Sequence, residues 1–184
     1  MRSNLTFMRA VRMSTSRQNQ PPSGQHGFTL IELLVTISIV AILASLAVPS
    51  FNAFALSSKL NSVSSHFMAD VQLARSEAIK RNAPVTLCAS SNGTSCTGAW
   101  KDGWVVLAGG TVISRQSALP NGYVLSDAGG VTSIVFQPTG VGATAANLTL
   151  CRATPTVGSQ QRTIRISATG RPDLAKVSGA TSCP

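Results

Sequence analysis

The sequence predicts an α+β protein, with one long N-terminal helix and a domain of antiparallel β-strands. Three observations indicate this fold class. An apolar run extends from Phe28 to Val48, helical apolar spacing continues from there to about Asn82, and the chain after Pro84 consists of short β-branched runs between turns. We therefore expect residues 84–184 to form one β-rich globular domain beside the helix.

The first part of the predicted helix has the length of a membrane span. Phe28–Val48 contains 21 residues, and Glu32 is its only charged residue. At a rise of ~1.5 Å per residue this segment measures ~31 Å, which is enough to cross a bilayer. A secretory signal peptide is the alternative, because Ala44, Ser45 and Ala47 loosely resemble a cleavage site, but its apolar region would be shorter. We therefore predict a transmembrane helix at 28–48.

The segment before the apolar run is basic. Residues 1–27 contain no acid, and their charged residues are Arg2, Arg9, Arg12 and Arg17. Basic residues that flank a membrane span favour the cytoplasmic side, so we expect the N-terminus inside and the C-terminal domain outside. Met13 is an alternative start to Met1, and the sequence does not decide between them.

The second part of the predicted helix, 49–83, is apolar on one face only. Pro49 lacks a backbone N–H, so we expect a kink there rather than an end to the helix. The helix should run from about Thr29 to about Asn82, because the residue before Pro84 is pushed out of helical angles. The apolar positions that step by three or four are Leu56, Leu60, Val63, Phe67, Val71, Ala74 and Ala78. This face is expected to pack on the β domain.

Turn residues divide the rest of the chain into seven predicted strands. The turns include Gly109-Gly110 and Asn121-Gly122. Because the strands are short and closely spaced, we expect antiparallel sheets. The predicted strands are Val85–Ala89, Gly103–Ala108, Thr111–Gln116, Tyr123–Leu125, Ser133–Gln137, Asn147–Arg152 and Thr163–Ala168.

All four cysteines lie in the part of the chain expected to be extracytoplasmic, where disulfides persist. Four cysteines allow three pairings. We favour the local pairs Cys88–Cys96 and Cys151–Cys183, for which loop entropy gives about 2.6 and about 3.7 kcal/mol. The sequence contains no Cys-x-x-Cys spacing of the kind that binds zinc, so we expect no metal and no cofactor.

Glu32 is the residue of the apolar run that most needs a partner. A carboxylate on a lone helix near the membrane costs roughly 3 kcal/mol or more, depending on its depth. Glu32 can become protonated, extend to the membrane interface, or meet a cation. If the chain is cut after Gly27, Phe28 gains a free amine one turn from Glu32, and that amine can pair with Glu32 of the same or a neighbouring helix.

At these residues the chain resembles a known class of proteins. Gly27-Phe28-Thr29-Leu30-Ile31-Glu32-Leu33-Leu34 is similar to the type III signal of type IV pilins and type II secretion pseudopilins. The resemblance implies a type IV pilin-like fold, cleavage of leader 1–27 by a prepilin peptidase between Gly27 and Phe28, N-methylation of Phe28, and an assembly role for Glu32. Gln25-His26 departs from the pattern, because a basic residue often stands there.

The resemblance continues into the second half of the chain. Leu73–Asn82, Pro84–Cys88, Trp100–Trp104 and Ser167–Arg171 are similar to the GspH/FimT family of minor pilins. This implies a minor pilin or pseudopilin at the tip of a type II secretion pseudopilus or type IV pilus, supporting protein secretion or pilus biogenesis. The implied partners are other pilins, the prepilin peptidase and the assembly platform of the bacterial inner membrane, with the C-terminal domain in the periplasm.

The alternative function is DNA binding. In the FimT branch of the family, a C-terminal Gly-Arg-x-Arg element binds DNA for natural transformation, but here Gly170-Arg171 is followed by Pro172-Asp173. An ordinary solvated basic surface is the competing interpretation, since residues from Phe28 onward carry a net charge of +5. The candidate contacts to double-stranded DNA are Arg152, Arg162, Arg165, Arg171 and Lys176.

We expect no enzymatic activity. The two histidines are His26, in the leader, and His66, on the long helix near Ser64, Ser65 and Asp70. Residues so close on one helix do not converge as a catalytic triad requires. Trp100 and Trp104 are expected to be packing residues rather than part of a ligand site.

Overall fold

The computed structural model describes residues 27–141 and 143–184. By its internal contacts the chain divides into two units between Ile42 and Leu43. The first unit contains the beginning of the helix, and the second contains the rest of the helix and all the strands. Apart from Gly27, the predicted leader 1–27 lies outside the described residues, as does His26.

The single α-helix of the described residues, α1, spans Leu30–Arg81. It is unbroken at Pro49, as expected, and the kink there stays a prediction. The last helical residue is Arg81, and Asn82 after it has a φ of 49°. A hydrogen bond of 3.3 Å from Ala83 N to Ala78 O closes the end of the helix. Pro84 follows, and its ring prevents the preceding residue from continuing the helix.

The predicted apolar face of α1 is confirmed. Every side chain from 27 to 55 is exposed. Beyond that point one face is covered, and the buried residues of α1 are Leu56, Leu60, Val63, Ser64, Phe67, Val71, Ala74 and Ala78. Ser64 is the polar member of this set, and its hydroxyl donates to the carbonyl of Leu60 at 2.8 Å. The apolar members are the seven predicted from their spacing.

Eight strands follow the helix. They are β1 (Val85–Ala89), β2 (Gly103–Ala108), β3 (Thr111–Ser117), β4 (Tyr123–Asp127), β5 (Ser133–Phe136), β6 (Ala146–Arg152), β7 (Gln160–Ile166) and β8 (Pro172–Ser178). A short 3-10 turn at Trp100–Asp102 precedes β2. Seven strands correspond to predicted ones, while β8 was missed because it begins with a proline and lacks an apolar alternation.

The strands form two four-stranded sheets, as the antiparallel prediction required. The first sheet has the order β3-β2-β1-β5, and the second has the order β4-β6-β7-β8. All pairings within them are antiparallel. In the second sheet, Ile164 and Ile166 of β7 are buried while Arg165 between them is exposed, so this strand has one dry and one wet face.

Aromatic residues join α1 to the first sheet. Phe67 lies edge-on to Trp100 and Trp104, with ring centroids 5.5 and 5.1 Å apart. The indole nitrogen of Trp104 donates to Asp70 Oδ2 at 2.7 Å, and the hydroxyl of Ser114 donates to Asp70 Oδ1 at 2.7 Å. The two tryptophans are therefore packing residues, as predicted.

The two disulfides have the pairing that the sequence favours. Cys88 is bonded to Cys96, and Cys151 to Cys183. The first closes the loop after β1, and the second ties the C-terminal tail to β6. The tail is also held by a hydrogen bond from Ala180 N to Ser159 O at 3.2 Å.

Candidate functional site

The N-terminal candidate site is the segment around the beginning of α1. The backbone N–H and the hydroxyl of Thr29 donate to Glu32 Oε2 at 3.3 and 3.4 Å. Glu32 N donates in turn to Thr29 Oγ1 at 3.2 Å. This reciprocal pattern is a capping box, and it places the Glu32 carboxylate against the free N–H groups of its own helix.

The bond between Gly27 and Phe28 lies just before this cap. Both residues precede the first helical residue, and the Phe28 side chain is 84% exposed. Among the described residues, nothing lies within 4 Å of where a Cβ on Gly27 would be. The predicted processing point therefore lies in an open stretch, close to Glu32 along the chain.

The apolar part of α1 lacks cover along its whole length. It is the one helix in the described part of the chain that is long and apolar enough to cross a membrane, and none of that stretch is buried. It has large exposed apolar side chains on all sides, from Leu30 through Phe51 to Phe54. A continuous surface of this kind requires lipid or other apolar helices around it.

The second candidate site lies at the hairpin between β7 and β8. The turn is closed by hydrogen bonds from Ser167 N to Arg171 O at 3.1 Å and from Gly170 N to Ser167 O at 2.8 Å. Gly170 has a φ of +74°, which favours glycine, and a Cβ there would lie 3.6 Å from Phe136 Cδ1. Arg171 follows this glycine at the end of the turn and is exposed.

A groove of about 620 Å³ opens beside this hairpin. Its polar lining includes Arg165 and Arg171 together with Asp127 and Asp173, and its apolar lining includes Ile166. Arg165 stands directly opposite Asp173 in the β7–β8 register. The groove thus presents two positive and two negative side chains, so it is not a purely basic surface.

The structure does not bring all five predicted DNA contacts together. Arg165 and Arg171 share the groove. Arg152 lies at the other end of β6, where its Nε donates to Thr156 O at 3.2 Å. Lys176 is exposed on β8 and faces Arg162 in register, outside the groove lining.

Arg162 is a correction to the sequence interpretation. It is only 2% exposed, so it is not available to DNA. Its guanidinium donates to Asn61 Oδ1 at 2.9 Å and to Ser57 Oγ at 3.1 Å, and both acceptors are on α1. Burial lowers the pKa of Arg162, because the charged form loses hydration. The alternation of β7 carried the signal for this burial, since Arg162 shares a face with Ile164 and Ile166.

The serine, histidine and aspartate residues of α1 that the sequence brings close together do not form a catalytic triad. His66 is exposed, and the Asp70 carboxylate is bound by Trp104 and Ser114 rather than by a histidine. In the described ranges, no group of three or more metal-ligating side chains comes together.

An exposed apolar helix that continues into a helix packed on antiparallel sheets defines a pilin-like subunit. The family model described as "Type II transport protein GspH" matches residues 64–170, and the "Prokaryotic N-terminal methylation motif" matches residues 22–48. The first match covers more than half of the chain, so the chain belongs to the GspH family. It is a member of the minor pilin and pseudopilin class with an N-terminal methylation motif.

Among solved structures, the chain is similar to the type IV minor pilin FimU of Pseudomonas aeruginosa strain PAO1. One crystal form matches with a TM-score of 0.53 and 21% identity, over 66% of this chain and 92% of the FimU chain in that structure. A second crystal form matches with a TM-score of 0.48 and 22% identity, over 63% and 92% of the two chains. The first match confirms the type IV pilin-like fold. No curated protein matched the chain.

Proposed function

We propose that this chain is a minor pilin or pseudopilin that is cut between Gly27 and Phe28 and assembles into the tip of a type II secretion pseudopilus or type IV pilus. The observation that carries this proposal is the run from Leu30 to Phe54, where apolar side chains on all sides are exposed. Lipid covers such a surface before assembly, and the helices of neighbouring pilins cover it afterwards.

Processing prepares the chain for assembly in this scheme. Prepilin peptidase removes the leader 1–27 on the cytoplasmic side of the bacterial inner membrane, and Phe28 is then N-methylated. The new amine lies one residue before Thr29, whose N–H and hydroxyl contact the Glu32 carboxylate. Glu32 pairs with the amine of a neighbouring subunit and so sets the position of one helix against the next. The C-terminal domain is periplasmic, and the assembly platform moves the subunit into the filament.

Glu32→Ala tests the assembly step. We expect processing of the variant to stay near the wild-type level, while its incorporation into sheared filaments falls strongly, because the carboxylate that fixes the helix position is gone. N-terminal mass spectrometry measures processing, and immunoblotting of the filament fraction measures incorporation. Glu77→Ala, at the chain's other glutamate, is the matched control and should incorporate normally. Normal incorporation of Glu32→Ala would remove Glu32 from the mechanism.

The machine that uses the subunit is identified by a deletion strain. Loss of secretion would assign the chain to a secretion pseudopilus, and loss of twitching would assign it to a type IV pilus. Normal secretion, twitching and transformation in the same strain would contradict every filament role.

A second candidate function is DNA uptake, and the observation that favours it is the shared position of Arg165 and Arg171 in one groove. Asp127 and Asp173 in the same groove repel phosphate, which keeps the assembly role ahead. Arg171→Ala should weaken gel shifts of double-stranded DNA and reduce the salt slope by about 1, if Arg171 contacts a phosphate. Arg152→Ala, away from the groove, should leave the shift unchanged. Equal or absent shifts for wild type and Arg171→Ala would exclude this function.

A further inference from the structure

A polar seam joins α1 to β7 at the point where the helix first meets the second sheet. We define the seam as Gln160 and Arg162 on β7 together with Ala53, Ser57 and Asn61 on α1. Gln160 Nε2 donates to Ala53 O at 3.4 Å, and Arg162 donates to Ser57 Oγ at 3.1 Å and to Asn61 Oδ1 at 2.9 Å. The three helix residues are spaced by four, so they form one line along α1.

The seam contains two groups that would gain from contact with water. Arg162 is 2% exposed, and no acidic side chain lies within 4.0 Å of it among the described residues. Its guanidinium nitrogens are all hydrogen-bonded, the third through Nη1 to Gln161 O at 3.0 Å, but every acceptor is neutral. Gln160 Oε1 is buried, and no donor in the described part of the chain contacts it. A buried charge without an opposite charge is costly, as is a buried acceptor without a donor. The closed seam is therefore held less firmly than its number of hydrogen bonds suggests.

Apolar packing adds little to hold the helix at the seam. N-terminal to Leu60, the only described buried residue of α1 is Leu56. From Leu60 to Ala78, by contrast, apolar residues are buried on every turn. The free energy that holds α1 to the sheets is thus concentrated between Leu60 and Ala78.

We propose that the polar seam is a release point, at which residues 53–57 of α1 separate from β7 while residues from Leu60 onward stay packed. On separation, Arg162 keeps its bonds to Asn61 Oδ1 and Gln161 O and gains water at Nη2, which had donated to Ser57. Gln160 Oε1 meets a donor, and Ser57 exchanges one hydrogen bond for another with water. Leu56 is the apolar residue that becomes exposed. A role for this opening in assembly rests on the proposed function. A subunit that moves from lipid into a filament must adjust the exposed N-terminal part of α1 to the helices of new neighbours.

Cysteine labelling measures the opening directly. All described cysteines are in disulfides, so one introduced thiol is the reactive group in the folded full-length chain. In detergent micelles, Leu56→Cys should react with a maleimide at least about tenfold faster than Val71→Cys, because local opening exposes only the first position. Val71 is the matched control, since it is also buried on α1.

Arg162→Met tests whether the buried Arg162 favours opening of the seam or instead holds the seam closed. Methionine removes the buried charge but keeps much of the side-chain volume, and exposed Asn61 and half-buried Ser57 keep access to other hydrogen-bond partners. The substitution should slow labelling of Leu56→Cys about tenfold and leave Val71→Cys unchanged. Unchanged or faster labelling would overturn the proposal, because the contacts of Arg162 would then hold the seam closed. Equal labelling rates for Leu56→Cys and Val71→Cys in the chain that keeps Arg162 would also overturn the proposal.

A second thiol position keeps the test decisive if Leu56→Cys does not fold. Ser57→Cys, a near-isosteric change that keeps Gln160 and Arg162, then reports on the seam. Met68→Cys, at a half-buried position in the packed part of the same helix, is its control, and folding is verified by near-UV circular dichroism. For the role in assembly, Arg162→Met should reduce incorporation into filaments. If Arg162→Met closes the seam and incorporates normally while Glu32→Ala does not, the assembly role of the seam fails and the proposed function stands. Normal incorporation of Glu32→Ala would instead overturn the proposed function.

Discussion

Two parts of α1 carry similar apolar side chains but differ in what covers them. From Leu30 to Phe54 every side chain is exposed, whereas from Leu56 to Ala78 one face is buried. The first part is apolar on all sides and is suited to lipid or to other helices, while the second is apolar on one side and is covered by the protein's own sheets. The same kind of residue therefore contributes to the folded core in one part and stays uncovered by the described part of the chain in the other.

Phe67 and Phe51 provide the largest contrast between the two parts. Phe67 is fully buried against Trp100 and Trp104, so Phe67→Ala should lower the free energy of unfolding by about 3–5 kcal/mol. Phe51 is 69% exposed, so Phe51→Ala should change that free energy by less than about 0.5 kcal/mol. Urea unfolding of the full-length chain in micelles measures both.

Phe51→Ala should have its effect in an assembly assay rather than on the free energy of unfolding. We expect Phe51→Ala to lower incorporation into filaments while the protein stays folded. A large loss of stability from Phe51→Ala would show that the protein's own domain covers this residue, and the contrast between the two parts of α1 would then fail.

Asp70 extends the contrast to polar residues. Its carboxylate accepts hydrogen bonds from Trp104 Nε1 and Ser114 Oγ, both at 2.7 Å. Asp70→Ala leaves the buried indole N–H without an acceptor and should lower the free energy of unfolding by about 1–3 kcal/mol. Asp70→Asn keeps an acceptor oxygen and should cost less. Gln72→Ala, on an exposed position of the same helix, is the control and should have almost no effect. An equal cost for the alanine and asparagine variants would show that these hydrogen bonds do not stabilise the fold.

The contrast also explains which features could be predicted from sequence. The helix and its buried face follow from local periodicity, and all seven predicted apolar positions, from Leu56 to Ala78, are buried. Strand β8 could not be found in this way, because Pro172 and Asp173 are typical of loops and its side chains are mostly exposed. It is a strand because it pairs with β7 along its whole length, which is a property of the tertiary structure.

The candidate sites divide in a similar way. The capping box at Thr29 and Glu32 depends on a local spacing that sequence displays. The groove depends on strands that are distant in sequence, so the proximity of Asp127 to Arg165 could not be read from the chain. The charge of Arg162 is typical of a basic surface, but its position in the alternation of β7 places it on the buried face with Ile164 and Ile166.

Glu77, at the end of the packed part of α1, gives the smallest expected effect. Lys80 Nζ and Arg81 Nε each donate to its carboxylate at 2.7 Å. These bonds, first that of Lys80 and then that of Arg81, lower the pKa of Glu77 from its ordinary value. Because the folded pKa lies below the unfolded value of about 4.3, the stabilisation is present above that pH and is lost as the pH falls through the folded pKa. The residues are on the surface, so the contribution is small and is reduced by salt.

Glu77→Gln measures this contribution as a difference from the wild type. At neutral pH and low salt the variant should be slightly less stable, and the difference should disappear at a pH well below the folded pKa, where the wild-type carboxyl is also neutral. Thermal unfolding at several pH values makes the comparison, and added salt should shrink the neutral-pH difference. A difference that persists undiminished in acid would mean that Glu77 stabilises the helix end by its shape rather than its charge.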